Sequence, residues 1–231
     1  EARLSTFLAA DKDNNADSGP EAFISGSIVD AQARFNLRGL VDPSGKPVPE
    51  QVAALRRLAA QAGAPTDAAT RIAELMGRAY GPVGDEGPRG PPLKPAKLAD
   101  LIWLGVDAAT VARLAPWVDL LPVPTVVNAN TAPREVLVAA IENLDFGSAE
   151  RLVQARTRKP FESLADVQAQ LPGTVKADAS RVGVASAWFV VAGRLRLEER
   201  VLEERSLLYR DGDKVTVRRR ERTSFAAAQG G

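Results

Sequence analysis

The sequence predicts an α+β protein in which both ends of the chain build one domain and a large all-α domain is inserted between them. Strand-like patterns occur near residues 27–37 and return from about residue 185, and the residues between them carry helical periodicity. A C-terminal strand hairpin is not stable alone, so we expect it to pair with the early strands. The predicted boundaries are 1–43 with 185–231 for the α+β domain and 44–184 for the inserted all-α domain.

Composition narrows the possible chemistry. The chain has 231 residues, a net charge of +1, no cysteine and no histidine. Disulfides, thiol nucleophiles and cysteine-bound zinc are therefore excluded, and the commonest general base is missing. No apolar run approaches the ~20 residues of a membrane helix. The chain starts at Glu1 without a methionine, and its first residues already have helical periodicity. We therefore expect it to be part of a longer protein in which an N-terminal membrane helix precedes it.

The first ten residues have the spacing of an amphipathic helix. Leu4, Phe7 and Leu8 fall on one helical face. This face has two possible uses. It packs on the protein's own sheet, or it forms part of a partner interface.

An acidic loop follows, with four carboxylates in eleven residues. They are Asp11, Asp13, Asp17 and Glu21. Ca²⁺ prefers 6–8 oxygen ligands from a loop that can wrap around it. The start of the loop is similar to an EF-hand, but Ala16 and Ala22 occupy positions where that motif needs glycine and glutamate. The loop is therefore either a calcium site of another kind or a solvated acidic turn.

Turn and cap signals divide the middle of the chain. Residues 27–30 and 34–37 read as short extended pieces, and 42–47 as a turn. Helices are predicted over 48–63, from Thr66 or Asp67 onward, and on either side of Gly105. The Gly- and Pro-rich residues 81–95 predict a loop.

The stretch at residues 127–132, Val-Asn-Ala-Asn-Thr-Ala, predicts a helix start. A strand is expected over 123–127 before it, and a helix from Pro133 to about Asn143 after it. Ser148 is expected to cap a further helix. Ser163 and Asp166 have the spacing of a capping box.

Residues 127–173 also resemble helix-hairpin-helix repeats, in which backbone N–H groups at a Gly-hydrophobic-Gly turn bind a phosphate of DNA. The corresponding turn, residues 144–148, has one glycine instead of two, and Asp145 would repel a phosphate. Nucleic-acid binding is therefore the alternative function, and a hairpin used for packing is the preferred interpretation.

The C-terminal part alternates like a half-buried sheet. Leu195 and Leu197 alternate with arginines, and residues 211–213 form a hairpin turn before a basic return strand at 214–222. That strand either binds an anionic partner or forms a solvated edge. The acidic pairs Glu198–Glu199 and Glu203–Glu204 predict cross-strand ion pairs. A carboxylate hydrolase would need the acidic loop to line a cleft, and no Ser-His, Cys-His or zinc pattern is present, so we expect a protein that is not an enzyme.

Three segments in order carry a resemblance to a known family. They are Ile-Val-Asp-Ala-Gln-Ala-Arg-Phe-Asn-Leu at 28–37, the asparagine-containing stretch at 127–132, and Ala-Trp-Phe-Val-Val at 187–191. Together they resemble GspK, the large minor pseudopilin of bacterial type II secretion. The length and the lack of cysteine are similar to the Pseudomonas version.

The resemblance implies a type IV pilin-like fold, with an N-terminal helix on an antiparallel sheet and a large helical insertion. It implies a periplasmic globular part, anchored to the inner membrane of a Gram-negative bacterium through a helix absent here. The implied partners are the I- and J-type minor pseudopilins at the tip of the pseudopilus, where the insertion caps the fibre, with contacts to secreted substrates or the secretin. Some members bind Ca²⁺ through an acidic loop at this place.

Overall fold

Strands from both ends of the chain form one antiparallel sheet. The computed structural model describes residues 2–3, 22–82 and 92–226. Within them the strand order of the sheet is β1-β2-β7-β8-β9. The strands are β1 (Ala2–Arg3), β2 (Ala22–Asp30), β3 (Phe35–Asn36), β4 (Val118–Asp119), β5 (Val127–Asn128), β6 (Val182–Gly183), β7 (Trp188–Leu197), β8 (Arg200–Asp211) and β9 (Lys214–Ala226). The predicted class, a mixed α and β protein with an antiparallel sheet, is confirmed.

Local turn chemistry fixes the register of the C-terminal strands. Gly212 has a φ of 57°, which glycine adopts without a steric penalty, and it joins β8 to β9 as the predicted hairpin. The β8–β9 pairing shifts register between Leu207 and Leu208, where β9 carries one extra residue, Arg218. Such a bulge increases local twist.

The helix predicted over residues 1–10 is wrong at its start. Ala2 and Arg3 form β1, which pairs with Ile24 and Phe23 of β2. The backbone groups of Ala2 and Arg3 are paired with β2 in the sheet, so they do not form the hydrogen bonds of a helix. The remaining residues singled out near the N-terminus lie outside the described part of the chain: Leu4, Phe7, Leu8, Asp11, Asp13, Asp17 and Glu21.

The helical unit comprises residues Ala31–Ser186, whereas the sheet unit combines Glu1–Asp30 with Ala187–Gly231. Its helices are α1 (Pro49–Gln61), α2 (Ala68–Tyr80), a 3-10 helix (Leu98–Leu104), α3 (Ala108–Leu114), α4 (Arg134–Ala140), α5 (Phe146–Arg158) and α6 (Leu164–Ala169). Within the ranges that the structure describes, none of the helices is both long and apolar enough to cross a bilayer.

The division between the units differs from the predicted one. Residues 31–43, assigned from the sequence to the α+β domain, belong to the helical unit. Leu37 and Leu40 are fully buried there and form part of the core that also contains Leu55 and Ile72. The prediction failed because a short extended piece at Phe35–Asn36 was assigned to the sheet. It pairs in parallel with Val118–Asp119 of the helical unit instead.

The strand predicted over residues 123–127 is also wrong for most of its length. Only Val127–Asn128 forms a strand, paired in parallel with Val182–Gly183. The Asn36 side chain donates to the Val123 carbonyl at 2.7 Å and to the Thr125 hydroxyl at 3.1 Å. The buried Asn36 amide thus takes the place of the strand-to-strand hydrogen bonds that these residues would make in a sheet. Pro122 and Pro124 also have no backbone N–H to donate to a neighbouring strand.

Three glycines allow a turn to lie against the end of α2. Gly45, with a φ of 80°, belongs to the turn at 42–47, and Gly77 and Gly81 lie at the C-terminal end of α2. A Cβ on Gly81 would lie 2.7 Å from the Gly77 carbonyl oxygen, and a Cβ on Gly77 would overlap the Gly45 carbonyl oxygen. The backbones therefore touch, and no side chain fits between them.

Candidate functional site: an exposed sheet face and a helix-start joint

One face of the sheet exposes aliphatic side chains. The register places Ile24, Leu195 and Leu202 opposite one another on β2, β7 and β8, and residues two apart along a strand share a face. We call the following seven residues the aliphatic face: Ile24, Ile28, Leu195, Leu197, Leu202, Val215 and Val217. Their exposed fractions run from 36% to 73%.

The opposite face of the same sheet is partly buried, although Val29 on that face is 49% exposed. Trp188, Val201 and Leu207 are nearly inaccessible, and the rings of Trp188 and Tyr209 pack with centroids 4.9 Å apart.

The alternation at residues 194–197 predicted a half-buried strand, and Leu195 and Leu197 share one face of that strand, where they are 36% and 41% exposed. On β8 and β9 the same face also carries Glu204, Arg220 and Arg222, which lie between Leu202 and Val217. Exposed apolar side chains rimmed by polar ones mark a contact surface.

Arginines and glutamates pair across the outer strands. Glu204 lies 2.6 Å from Arg222 and 3.1 Å from Arg220, and Glu203 lies 3.7 Å from Arg194. The cross-strand ion pairs predicted for Glu203 and Glu204 are confirmed. The hydrogen bond from Arg222 holds the pKa of Glu204 below its ordinary value, which is the opposite of what a general acid needs at neutral pH.

The predicted calcium ligands are not among the described residues. Within the described ranges, no three acidic side chains lie close enough together to hold a metal ion. The calcium site at Asp11, Asp13, Asp17 and Glu21 therefore stays a prediction.

The asparagine stretch forms a joint that holds two parts of the helical unit together. The Asn130 amide oxygen accepts from the Phe161 N–H at 2.8 Å, and its nitrogen donates to the carbonyls of Phe161 and Val184 at 2.8 and 2.9 Å. Asn128 uses its side-chain oxygen to accept from the Asn130 N–H at 2.9 Å. A helix begins directly after the stretch, at Arg134, as predicted, but its N-cap residue is Pro133 and has no side-chain cap hydrogen bond. The Asn130 amide instead links segments that are far apart in sequence.

An arginine reinforces the same joint. Arg156 on α5 donates to the carbonyl oxygens of Ala129 and Ala132 at 2.7 and 2.6 Å. Both carbonyls lie immediately before α4, so α5 is held against the start of α4. The Arg156 guanidinium is therefore engaged in an internal contact.

The turn of the hairpin is capped by its own carboxylate. Asp145, not Ser148, precedes α5. Its Oδ1 accepts from the Ser148 N–H at 2.8 Å, and its Oδ2 accepts from the Ser148 hydroxyl at 2.7 Å. The sequence interpretation of Ser148 as the cap is therefore wrong, because Ser148 lies inside the helix. A carboxylate already occupies the place where a helix-hairpin-helix turn would bind a phosphate.

Replacing Asp145 by alanine is expected to lower the melting temperature at pH 7 but not in acid. The hydrogen bond from the Ser148 hydroxyl, followed by that from its backbone, lowers the pKa of Asp145 in the folded state. The stabilisation is therefore complete above the unfolded pKa, about 4, and is lost as the pH falls through the folded pKa. Melting curves of both proteins between pH 7 and pH 2 test this, and a constant difference in melting temperature would contradict it.

The fold and these surfaces define a protein with an antiparallel sheet, a helical insertion and an exposed apolar face suited to contact with another protein element. Family profiles described as type II secretion system protein K match residues 33–123 and 127–185. Protein K of Pseudomonas aeruginosa is 32% identical over 213 residues, covering 84% of this chain and 63% of that protein. Protein K of Pectobacterium carotovorum subsp. carotovorum is 31% identical over 229 residues, covering 86% and 69%.

The chain belongs to the type II secretion system protein K family. It spans about two thirds of the length of these two relatives. Among solved structures, the chain is similar to one in the GspK-GspI-GspJ complex of the enterotoxigenic Escherichia coli type 2 secretion system. The TM-score is 0.64 at 24% identity, covering 89% of this chain and 84% of that chain.

Proposed function

We propose that this chain is the globular part of a minor pseudopilin and acts without enzymatic chemistry at the tip of the type II secretion pseudopilus. Its partners are the I- and J-type minor pseudopilins, whose counterparts are named with GspK in the similar complex. The globular part stands in the periplasm and an N-terminal helix anchors it in the inner membrane. The observation that carries this proposal is the aliphatic face, because a pilin-like fold lays its N-terminal helix on such a face.

Burial of the aliphatic face under the N-terminal helix would stabilise the packing of that helix on the sheet. Fully burying a Val, Leu or Ile side chain contributes roughly 1.5–3 kcal/mol, and the seven side chains are already partly buried. Covering them would therefore contribute on the order of 5 kcal/mol or more. That is enough to hold a helix whose other interactions are weak.

The helical insertion provides the second part of the function. The insertion follows β2 in the chain and leads into β7, and these two strands are neighbours in the sheet. Both ends of the insertion are therefore attached to the sheet. In a fibre that grows by stacking pilin-like subunits, the added bulk of residues 31–186 would leave no room for another subunit above. Capping and initiation then follow from volume, not from a reactive group.

Co-purification tests this function. The full-length protein, co-expressed with its I- and J-type pseudopilins, is expected to form a ternary complex. Leu202→Asp, which places a carboxylate under the N-terminal helix, should displace that helix and so weaken the complex at least ~100-fold, because an unpaired charge is costly to bury. The matched control is Leu93→Asp, at an exposed leucine of the helical unit, and it should bind normally. Failure of the wild-type protein to bind either partner would overturn the proposal.

Calcium binding by the acidic loop is proposed separately. Chelator-treated protein should bind Ca²⁺ in calorimetry, and the combined change of Asp11, Asp13 and Asp17 to asparagine should abolish the binding. Heat release that is unchanged in this variant would assign the ion to other residues.

A further inference from the structure

One edge of the sheet has no further strand beside it in the part of the chain that the structure describes. β9 (Lys214–Ala226) pairs with β8 on one side and is the last strand of the sheet. It is 13 residues long and contains no proline. Its bulge lies close to the turn, so residues 219–226 pair with β8 without interruption. Short strands and prolines are common ways to protect an edge, and β9 has neither of them.

The hairpin that joins β8 to β9 determines which backbone groups face outward. Asp211 and Lys214 flank a two-residue turn, so they form a hydrogen-bonded pair, and every second residue along β8 then faces β9. Arg210, which comes between two such residues, agrees with this pattern, because its N–H donates to the Ala187 carbonyl on the side of β7.

The same alternation continues beyond the bulge, which adds a residue to β9 and none to β8. The β8 residues that face β9 there are Leu207, Arg205 and Glu203, and their partners on β9 are Arg219, Glu221 and Thr223. The residues between these partners direct their N–H and C=O groups away from β8. They are Arg220, Arg222 and Ser224.

This outward edge is cationic. β9 carries four arginines and one lysine against one glutamate. Arg220 and Arg222 lie on the same face and share the carboxylate of Glu204, at 3.1 and 2.6 Å. Their side chains remain 52% and 65% exposed. One carboxylate does not balance two guanidinium groups, so the open side of these arginines favours a second anionic group.

We propose that residues 219–226 accept an acidic β-strand of another protein, which extends the sheet beyond β9. In such an addition the main-chain hydrogen bonds supply affinity and the side chains supply specificity. Two carboxylates spaced two residues apart on the added strand would lie on one face, beside Arg220 and Arg222. The two guanidinium groups would then lie between Glu204 on one side and the carboxylates of the added strand on the other.

The same arginines disfavour a second copy of this chain as the added strand. Two β9 strands that overlap at residues 219–222 would bring arginines opposite arginines, and like charges directly opposite each other destabilise a strand pair. The strand that fits this edge therefore carries the opposite charge.

Fluorescence anisotropy of a labelled peptide measures this pairing. The probe is Thr-Val-Glu-Val-Glu-Val-Thr with both ends blocked, and its matched control has lysine in place of both glutamates. At low ionic strength the 231-residue chain should bind the glutamate peptide at least ~10-fold more tightly than the lysine peptide. The glutamate peptide N-methylated at two adjacent central residues cannot donate hydrogen bonds from either edge there, and it should bind at least ~10-fold more weakly.

A proline at an outward-facing position separates strand pairing from charge attraction on the protein side. Ser224→Pro removes an N–H that faces away from β8, and edge strands accept proline at such positions. It should retain the melting temperature of the wild type and weaken binding of the glutamate peptide at least ~10-fold. Ser224→Ala keeps the N–H and should bind within about twofold of the wild type. Thr223→Pro removes an N–H that faces β8, so it should lower the melting temperature.

Equal binding of the glutamate and lysine peptides, or no binding of the glutamate peptide below about 1 mM, would overturn the proposal and leave β9 as an edge protected by its charges. Undiminished binding of the N-methylated peptide would reduce the contact to charge attraction and exclude an added strand. Dimerisation of the wild-type chain in sedimentation, abolished by Ser224→Pro, would assign the edge to a second copy instead. These measurements contain neither the I- nor the J-type pseudopilin, so the proposed function is tested separately.

Discussion

Replacing Gly77 by alanine is expected to destabilise the helical unit by about 3 kcal/mol or more, although alanine normally stabilises a helix interior by about 1 kcal/mol relative to glycine. The reversal of sign comes from the turn at 42–47. A Cβ on Gly77 would overlap the carbonyl oxygen of Gly45, and that oxygen belongs to a backbone that cannot rotate away as a side chain can. Either α2 or the turn must move.

Urea unfolding followed by far-UV circular dichroism measures this effect. The matched control is Gly173→Ala, at a glycine with open space around its Cβ position, and it should change the free energy of unfolding by less than about 0.5 kcal/mol. A Gly77→Ala protein as stable as the wild type would show that the turn does not press against α2.

Replacing Asn130 by alanine should destabilise the helical unit by about 3 kcal/mol. The change removes three hydrogen bonds from one amide and leaves the N–H and C=O of Phe161 and the C=O of Val184 without that partner. Each such bond contributes about 1 kcal/mol. For a unit of this size the melting temperature should fall by roughly 6–12 °C.

Thermal unfolding of Asn130→Ala beside Thr174→Ala provides the comparison. Thr174 is exposed and lies in the same unit, so its replacement should be almost neutral. Equal melting temperatures for the two variants would mean that water replaces the Asn130 amide at the joint, and the structural role given to it would be wrong.

The parts of the fold that local chemistry determines could be predicted from the sequence. The capping box of Ser163 and Asp166 forms as its spacing indicates, and the turn at Gly212 makes the predicted hairpin. The apolar face of α2 is buried as its period requires. In each case the residues that decide the structure lie within a few positions of one another.

The parts that failed depend on partners far away in the sequence. Residues 123–126 are not a strand because the Asn36 side chain, 87 residues from Val123, bonds to them. Residues 31–43 belong to the helical unit because Leu37 and Leu40 are buried in its core. The α5 cap was missed for a different reason. Asp145 lies three residues before Ser148, which is the spacing of an N-cap, but the serine itself was taken as the cap.

The aliphatic face shows a further limit. Alternation correctly placed Leu195 and Leu197 together on one side of a strand. It could not show whether that side is covered within the described chain, because a sequence pattern records that a face is apolar and not what covers it.

The pairing of β2 with β7 also has a consequence for the order of events during synthesis. On the ribosome, residues 22–30 emerge more than 150 residues before the strand with which they pair. The helical unit is complete by residue 186, so it can fold before β7, the partner strand of β2, has been synthesised. Its folding brings Asp30 and Ala187 together and replaces a long loop closure with a short one. A nascent chain that stops before β8 would then carry a finished helical insertion and an unfinished sheet, so only a completed chain would have the whole aliphatic face.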